Sequence, residues 1–148
     1  FADVLKRMGC EVKGEPDGIA VKGGSLKGID IDMSDMPDMV PTLGVVAAFS
    51  DGVTNIKNVA HLKAKESDRL ESVANELKKM GIFSACTDTG LTIRGGTPHG
   101  AEIETYNDHR IAMSFAMAGL KVPGIKIRNE TCVEKSFPDY WNVFEKLC

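Results

Sequence analysis

The sequence has no hydrophobic run long enough to cross a membrane. A transmembrane helix needs about 18 consecutive apolar residues, and every apolar segment here is interrupted by charged or turn-forming residues before that length. The first residues also lack the basic and then apolar pattern of a signal peptide. We therefore predict a soluble, cytoplasmic protein with no membrane partner. Because the chain opens on Phe1 rather than Met, we expect it to be a piece of a longer protein.

Clusters of cysteine and histidine are absent as well. The four cysteines are widely separated and form no Cys-x-x-Cys pair, and the three histidines do not lie among them at metal-site spacing. Metal sites and disulfide frameworks normally need such clusters. The pattern favours reduced thiols in a cytosolic protein. We expect neither a metal nor an organic cofactor.

The chain has no excess of positive charge. Lys and Arg number 18 against 21 Asp and Glu, which gives a formal net charge of −3. Broad nucleic-acid binding depends on a basic surface, so we expect no nucleic-acid partner. An anionic ligand would instead have to meet a local cluster of Lys and Arg.

What the sequence does contain is a tandem duplication with an offset of 72 residues. The segment "LKRMG" at residues 5–9 recurs as "LKKMG" at residues 77–81. Glycines recur at the same offset, in the pairs Gly18 and Gly90, Gly28 and Gly100, Gly52 and Gly124. After one deleted residue, Asn58 matches Asn129. A repeat of this length is a whole supersecondary unit.

One copy can be assigned element by element. Residues 28–33 alternate like a short strand, residues 38–49 form an apolar helix, and residues 53–59 form a β-branched strand. The next helix has one buried stripe, formed by Leu70, Val73, Ala74, Leu77 and Met80. We expect Gly81 to end that helix, and a hairpin over residues 82–95 to complete the order β-α-β-α-β-β.

The mixture of crossover and hairpin connections predicts an α+β fold, in which helices pack on one face of small mixed sheets. The whole chain, residues 1–148, is expected to form one domain of tandem βαβαββ units. Within it, residues 1–28 would end a preceding unit and residues 29–100 would form one complete unit. Residues 101–148 would begin a further unit that stops before its hairpin.

Charged side chains gather where the predicted helices begin. The segment "KAKESDR" at residues 63–69 precedes one helix, and "EKSFPDYW" at residues 134–141 precedes its counterpart in the second copy. Arg110 opens a helix at the position where the first copy has Asp38. Helix N-termini attract anions through free N–H groups and the helix dipole. We therefore predict one anion site formed by six side chains: Asp38, Lys65, Glu66, Arg69, Arg110 and Lys135.

Each of these charges also has an ordinary structural explanation. A lone Lys or Arg at a helix start is usually a solvated surface side chain. Arg110 could pair with Asp108, and Lys135 with Glu134 or Asp139. The recurrence of a charged helix start in both copies favours a functional cluster over these alternatives.

Three of these segments, in this order, are similar to motifs of a known family. "LKAKESDRLESVANELKKMG", "YNDHRIAMSFAMAGL" and "EKSFPDYW", with "DMPDMVPT" upstream, resemble the C-terminal part of 5-enolpyruvylshikimate-3-phosphate synthases. UDP-N-acetylglucosamine enolpyruvyl transferases share that fold but lack the pairing of "KESDR" with "NDHR", so they are the alternative. The resemblance implies six βαβαββ units in two domains, with the substrates in the cleft between the domains.

The resemblance also implies a reaction. The enolpyruvyl group of phosphoenolpyruvate would pass to the 5-hydroxyl of shikimate 3-phosphate, with release of phosphate, in the shikimate pathway to chorismate and the aromatic amino acids. By motif position, Asp38 would accept the hydroxyl proton and Glu66 would handle the proton at the methylene carbon. Lys135 would bind the departing phosphate. Such an addition–elimination needs a base and an acid held together.

Further side chains would bind the two substrates. The phosphoenolpyruvate side is implied to involve Arg69, Arg110, Lys135 and His109. The phosphoshikimate side is implied to involve Asp38, Lys65 and His61. Relatives often carry Asn or Glu at the position of His61. A lone histidine such as His109 is also commonly a hydrogen-bonded structural residue.

An alternative of a different class is a non-catalytic anion-binding module that kept the fold. Such a module would be expected to lose some of the six charges. If the cluster is a site, the charged ends of Arg69, Arg110 and Lys135 should converge on one pocket. Because the family site is split between two domains, we expect residues 1–148 alone to fold without turnover and to require the N-terminal domain.

Overall fold

A computed structural model of the protein describes residues 1–147. The helices, α1 to α5, cover Ala2–Arg7, Val40–Ala48, Arg69–Lys79, His109–Gly119 and Tyr140–Phe144. The strands, β1 to β8, cover Glu11–Glu15, Gly18–Lys22, Asp30–Asp32, Val53–Lys57, Phe83–Cys86, Leu91–Arg94, Glu102–Ile103 and Lys126–Ile127. Short 3₁₀ segments lie at Pro37–Met39, Ala60–Ala64, Glu130–Val133 and Glu145–Leu147. None of the described helices has the length and apolar character of a membrane span.

The central sheet has four strands in the order β3-β4-β6-β5, and β1 and β2 form a separate antiparallel hairpin. β3 and β4 are parallel because α2 carries the chain back between them. β6 is antiparallel to both β4 and β5, so β5 and β6 form the predicted hairpin. The predicted order β-α-β-α-β-β is confirmed. β4 ends at Lys57, two residues earlier than expected, because Asn58 has a φ of 61° and turns the chain out of the sheet.

The second copy repeats this geometry over the described residues. β7 and β8 are parallel like β3 and β4, α4 lies between them, and α5 follows. Matched positions have the same left-handed backbone: Gly52 and Gly124 have φ values of 91° and 86°, and Asn58 and Asn129 have 61° and 49°. The duplication seen in the sequence is therefore also present in the backbone.

The core lies between the four-stranded sheet and helices α2 and α3. The predicted stripe on α3 is fully buried, and it consists of Leu70, Val73, Ala74, Leu77 and Met80. Burial of each leucine or valine contributes about 1.5–3 kcal/mol. α2 comes close to α3 at Gly44, where a Cβ atom would lie 2.7 Å from Val73 Cγ1. Gly81 follows α3 with a φ of 80°, as predicted, and the Ile82 N–H donates to the Leu77 carbonyl at 3.0 Å in a Schellman cap.

This packing brings the starts of α2, α3 and α4 together. Thr42 Oγ1 on α2 lies 3.0 Å from Ser114 Oγ on α4. Asp68 caps α3 and Asp108 caps α4, each by accepting a backbone N–H of the first turn. The polar residues that precede these helices consequently meet at one end of the helical layer.

Candidate active site

The buried guanidinium of Arg69 is the centre of the candidate site. Arg69 is the first residue of α3 and is 1% exposed. Its Nε donates to Asp108 Oδ2 at 2.8 Å, its Nη1 to Asp38 Oδ1 at 2.9 Å, and its Nη2 to Glu66 Oε2 at 2.6 Å. Three carboxylates from three separate segments therefore surround one cation.

Arg69 can be buried because each of its three side-chain nitrogens donates to a carboxylate. Burial by itself lowers the pKa of Arg69, but the hydrogen bond and charge of Asp108, with the charges of Glu66 and Asp38, raise it above its ordinary value. A further contact joins Nη2 to Asp108 Oδ1 at 3.4 Å. Of the five N–H donors of a guanidinium, one on Nη1 is left for a ligand. Arg69 therefore holds the three carboxylates in place, and its guanidinium is shielded from solvent.

Asp108 is the carboxylate that orders the start of α4. It is fully buried and accepts the backbone N–H of Arg110 at 2.9 Å and the hydroxyl of Ser67 at 3.1 Å. Burial alone raises its pKa, but the hydrogen bonds from Arg69 and from the Arg110 N–H outweigh that effect, so the pKa of Asp108 lies below its ordinary value. Asp108 was not among the six predicted site residues and was named as an alternative partner for the Arg110 side chain. Its place directly before a helix was the usable signal, because Asp favours the N-cap.

Asp38 bridges the two arginines. Its Oδ1 accepts from Arg69 and its Oδ2 accepts from Arg110 Nη2 at 2.7 Å, so the Arg110 side chain pairs with Asp38 rather than with Asp108. The side chains of Asp38 and Arg110 are 47% and 33% exposed. Both line an open cleft of about 180 Å³ together with Thr42, Met113, Ser114, Met117 and Tyr140. The cleft offers a guanidinium and a carboxylate to a small polar ligand.

Glu66 and Lys135 form the other accessible pair. Lys135 Nζ lies 3.8 Å from Glu66 Oε1, so this lysine pairs with Glu66 rather than with Glu134 or Asp139. The pKa of Glu66 lies below its ordinary value, first because its own backbone N–H donates to it and also because Arg69 and Lys135 are close; burial and Asp108 act in the opposite direction. Glu66 is therefore an ionised carboxylate at neutral pH.

His109, the first residue of α4, is nearly buried. Its Nδ1 lies 3.9 Å from Asp108 Oδ1, which is too long for a hydrogen bond, and has no hydrogen-bond partner among residues 1–147. Burial lowers the pKa of His109, and Lys135 and Arg110 lower it further against the effect of Asp108. The ring is therefore neutral at pH 7. The alternative of a hydrogen-bonded structural histidine does not apply to this nitrogen.

His61 and Lys65 lie apart from these contacts. His61 belongs to the 3₁₀ segment Ala60–Ala64, Lys65 follows that segment, and both are exposed. Within the described part of the chain, neither makes a hydrogen bond or an ion pair with the residues around Arg69. Their roles toward phosphoshikimate stay predictions.

Five of the six predicted charges therefore lie in one network together with Asp108, and Lys65 lies outside that network. We call this set the ionic cluster: Asp38, Glu66, Arg69, Asp108, Arg110 and Lys135. The cationic ends of Arg69, Arg110 and Lys135 are joined through Asp38 and Glu66. Arg110 lines the cleft, whereas Arg69 is covered by its carboxylates.

The cysteines lie outside this network. Cys10, Cys86 and Cys132 are free, and Cys148 lies outside the described residues. Within residues 1–147, no group of three or more His, Cys, Asp and Glu side chains has an arrangement suited to a metal ion.

Sequence comparisons identify relatives over nearly the whole chain. The family model for EPSP synthase (3-phosphoshikimate 1-carboxyvinyltransferase) matches residues 1–144. The 3-phosphoshikimate 1-carboxyvinyltransferase of Syntrophobacter fumaroxidans is 51% identical, over 99% of this chain and 36% of the relative. That of Nostoc punctiforme is 46% identical, over 99% of this chain and 35% of the relative. The chain thus spans about a third of the length of the curated relatives it matches.

Solved structures agree with this result. An EPSP synthase from Acinetobacter baumannii has a TM-score of 0.86 and 36% identity, over 98% of this chain and 38% of that chain. An enolpyruvyl transferase from Streptomyces tendae has a TM-score of 0.78 and 27% identity, over 98% of this chain and 34% of that chain. The shared fold confirms the predicted α+β repeat architecture. With the match of the family model over residues 1–144, the chain belongs to the EPSP synthase family.

Proposed function

We propose that this chain supplies half of the active site of an enzyme that transfers the enolpyruvyl group of phosphoenolpyruvate to the 5-hydroxyl of shikimate 3-phosphate, with release of phosphate. The ionic cluster carries this proposal, because three cations and three carboxylates meet at the starts of successive helices. Substrates with several negative charges need cations placed in advance. Proton transfer to and from carbon and oxygen needs carboxylates within the same site.

Asp38 is the proposed base for the 5-hydroxyl. Its half-exposed carboxylate faces the cleft while Arg69 and Arg110 hold one oxygen each. Two anchored oxygens fix the orientation of the carboxylate, which a base needs when it must meet one particular proton. As the new C–O bond forms at C2 of phosphoenolpyruvate, the hydroxyl proton passes to Asp38.

Glu66 is the proposed acid for the methylene carbon of phosphoenolpyruvate. The free cluster holds Glu66 ionised, so it must gain a proton when the substrate binds. A bound anion raises the pKa of a neighbouring carboxyl by like-charge repulsion, which favours that protonation. In the elimination step the methyl carbon returns its proton to Glu66, the C=C bond re-forms and the C–O bond to phosphate breaks. The proton held by Asp38 then passes to the departing phosphate, which returns Asp38 to its ionised form.

Arg110 and Lys135 are the proposed direct contacts for phosphoenolpyruvate, because both reach solvent. The fork of Arg110 fits a carboxylate or a phosphate, and the ammonium of Lys135 is placed beside Glu66 to receive the departing phosphate. Arg69 is more deeply buried than these two side chains and is proposed to contribute its charge and its one remaining N–H. The neutral His109 ring is proposed to border the same pocket; its Nδ1 is buried and has no hydrogen-bond partner among residues 1–147.

The other half of the site is proposed to come from the remainder of a longer chain. The relatives are about three times as long as this chain, and a site at a domain boundary closes and excludes water when both substrates bind. The N-terminal domain of the same chain is the proposed partner, and Lys65 and His61 are proposed to face phosphoshikimate. We propose the cytoplasm as the location of the whole enzyme.

Phosphate release by the full-length protein tests this function. We expect release when phosphoenolpyruvate and shikimate 3-phosphate are both present, and none when either is omitted. Replacing shikimate 3-phosphate by UDP-N-acetylglucosamine distinguishes the related transferases. Release with that acceptor alone would favour the alternative substrate. Phosphoenolpyruvate binding without release in either mixture would point to a non-catalytic anion-binding module.

A further inference from the structure

A second buried carboxylate, Glu76, faces the loop that leads into the ionic cluster. Glu76 lies on α3 seven residues after Arg69, which places both on the same face of the helix, about 10 Å apart along its axis. Glu76 is fully buried. Its Oε1 accepts the hydroxyl of Tyr106 at 2.7 Å, and its Oε2 accepts the Glu104 N–H at 3.0 Å and Lys79 Nζ at 2.7 Å.

The loop held by these bonds has an unfavourable backbone. Tyr106 and Asn107 have φ values of 53° and 55°, a left-handed conformation that residues other than glycine rarely adopt. Two such residues in a row persist only where surrounding contacts enforce them. The loop ends at Asp108, which Arg69 holds at 2.8 Å. One face of α3 therefore fixes both ends of this loop. Glu76 accepts hydrogen bonds from residues 104 and 106, and Arg69 donates to Asp108.

We propose that Glu76 and Tyr106 are positioning residues that act on the ionic cluster through the loop of residues 104–108. Their hydrogen bond sets the loop, and the loop sets the place of Asp108. Asp108 in turn orients both arginines of the cluster, one by its side chain and the other through the cap of α4. This inference rests on the proposed function, because the anion that the arginines serve is phosphoenolpyruvate.

The Tyr106 hydroxyl is a dependable donor. Burial, the hydrogen bond to Glu76 and the charge of that carboxylate raise the pKa of Tyr106 to about 12. The phenol therefore stays protonated across the pH range of an ordinary assay. Because the bond lies between side chains that have no place in the proposed proton transfers, its removal should alter the geometry of the site and leave the chemical groups intact.

The test is Tyr106→Phe in the full-length enzyme, with phosphate release measured well below the melting temperature. We expect the KM for phosphoenolpyruvate to rise about fivefold with kcat changed less than about twofold, because small misplacements weaken binding by preset groups. Ser84→Ala is the matched control. Its buried hydroxyl also bonds to α3, donating to the Ala74 carbonyl at 2.6 Å, but Ser84 belongs to β5, and its side chain makes no hydrogen bond to residues 104–108. We expect this control to lower the melting temperature without raising the KM.

Amide hydrogen exchange gives a second readout that does not depend on turnover. Tyr106→Phe and Glu76→Gln should speed exchange of the amides of residues 104–110 about tenfold, and Ser84→Ala should not. If the wild type releases no phosphate, the proposed function fails while the exchange result still decides the positioning role. A normal wild type with an unchanged KM and unchanged exchange in Tyr106→Phe would overturn the inference, and a lower melting temperature alone would show a purely structural role.

Discussion

The two copies of the duplicated unit differ in charge at the place where they touch each other. Helix α2 and the 3₁₀ segment before it pack against α4 so that matched positions meet: Asp38 pairs with Arg110 at 2.7 Å, and Thr42 with Ser114 at 3.0 Å. Both pairs join residues 72 positions apart, and they lie about one helical turn from each other. The two copies thus present two equivalent helix starts in register. Opposite charges at one matched position make this packing contact part of the candidate site.

The starts of α3 and α5 make a second comparison. Arg69 and Tyr140 are the matched first residues of these helices, and both are buried. Arg69 is surrounded by three carboxylates, whereas the Tyr140 hydroxyl donates to the Met113 carbonyl at 3.0 Å. At this matched position the first copy therefore has a buried arginine paired with carboxylates, whereas the second copy has a tyrosine that packs against α4. Substitutions at matched positions should have unequal effects.

The largest expected effect is on stability, at the caps of α4 and α5. Asp108→Ala removes two of the contacts of a buried guanidinium and should lower the free energy of unfolding by about 3 kcal/mol, since an uncompensated buried charge is costly. Asp139→Ala, at a helix start without a side-chain cap, should cost within about 0.5 kcal/mol. Urea denaturation of the full-length variants measures both. Similar losses in the two variants would contradict the central place given to Arg69 and Asp108.

A large effect on turnover is expected at Lys135. Lys135→Ala should lower kcat about 100-fold, as loss of a charge-stabilising group does, while the free energy of unfolding changes by less than about 0.5 kcal/mol because the side chain is half-exposed. Lys63→Ala, an exposed lysine near the corresponding helix start of the first copy, is the control and should retain turnover. Parallel loss of melting temperature and activity in Lys135→Ala would identify a structural lysine.

A smaller effect is expected from the hydrogen bond between the matched hydroxyls of α2 and α4. Thr42→Val should cost about 1 kcal/mol, and Ser114→Ala added to it should cost little more, because both remove the same bond. Thr42→Val combined with the distant Ser84→Ala should give additive losses. Additive losses for Thr42 and Ser114 would show that the copies do not pack in this register.

The smallest expected effect is a dependence of stability on pH from His109. Its pKa is lower in the folded protein than the ordinary 6.5, so the unfolded chain binds more protons in that window. Stability is then complete above about pH 6.5 and falls as the pH drops toward the folded pKa. His109→Gln should flatten this decline in unfolding experiments, and His61→Gln, at an exposed position, should leave it unchanged. A decline that persists in His109→Gln would assign it to other groups.

Much of the fold could be predicted from the sequence because its signals are local. The stripe on α3 follows helical periodicity, Gly81 marks the end of the helix, and the recurrent glycines mark the repeat. The end of β4 was missed because no apolar pattern reports that Asn58 adopts a left-handed backbone. The contacts within the site were harder to predict, since most of its ion pairs join residues that are far apart in the chain.

Five of the predicted charges lie together in the ionic cluster, but the motif positions did not predict how those charges pair. Arg69 pairs with Asp38 and Asp108 across 31 and 39 residues, so its saturation by carboxylates depends on how three helices pack. Lys65 lies near Arg69 in sequence and yet is exposed, because it follows the 3₁₀ segment rather than the helix. The tertiary structure therefore determines which charged side chains meet.

The proposal on which the other predictions depend is that these 148 residues carry half of an enolpyruvyl transferase site. Its most direct test is phosphate release from phosphoenolpyruvate and shikimate 3-phosphate, measured with residues 1–148, with the remainder of the full chain, and with the two pieces combined, after circular dichroism has shown that each is folded. We predict no turnover by either piece and turnover by the mixture, because an open half-site leaves its charges in water of high dielectric constant and lacks the binding energy of the remote part of the substrate. Substantial turnover by residues 1–148 alone would contradict the claim.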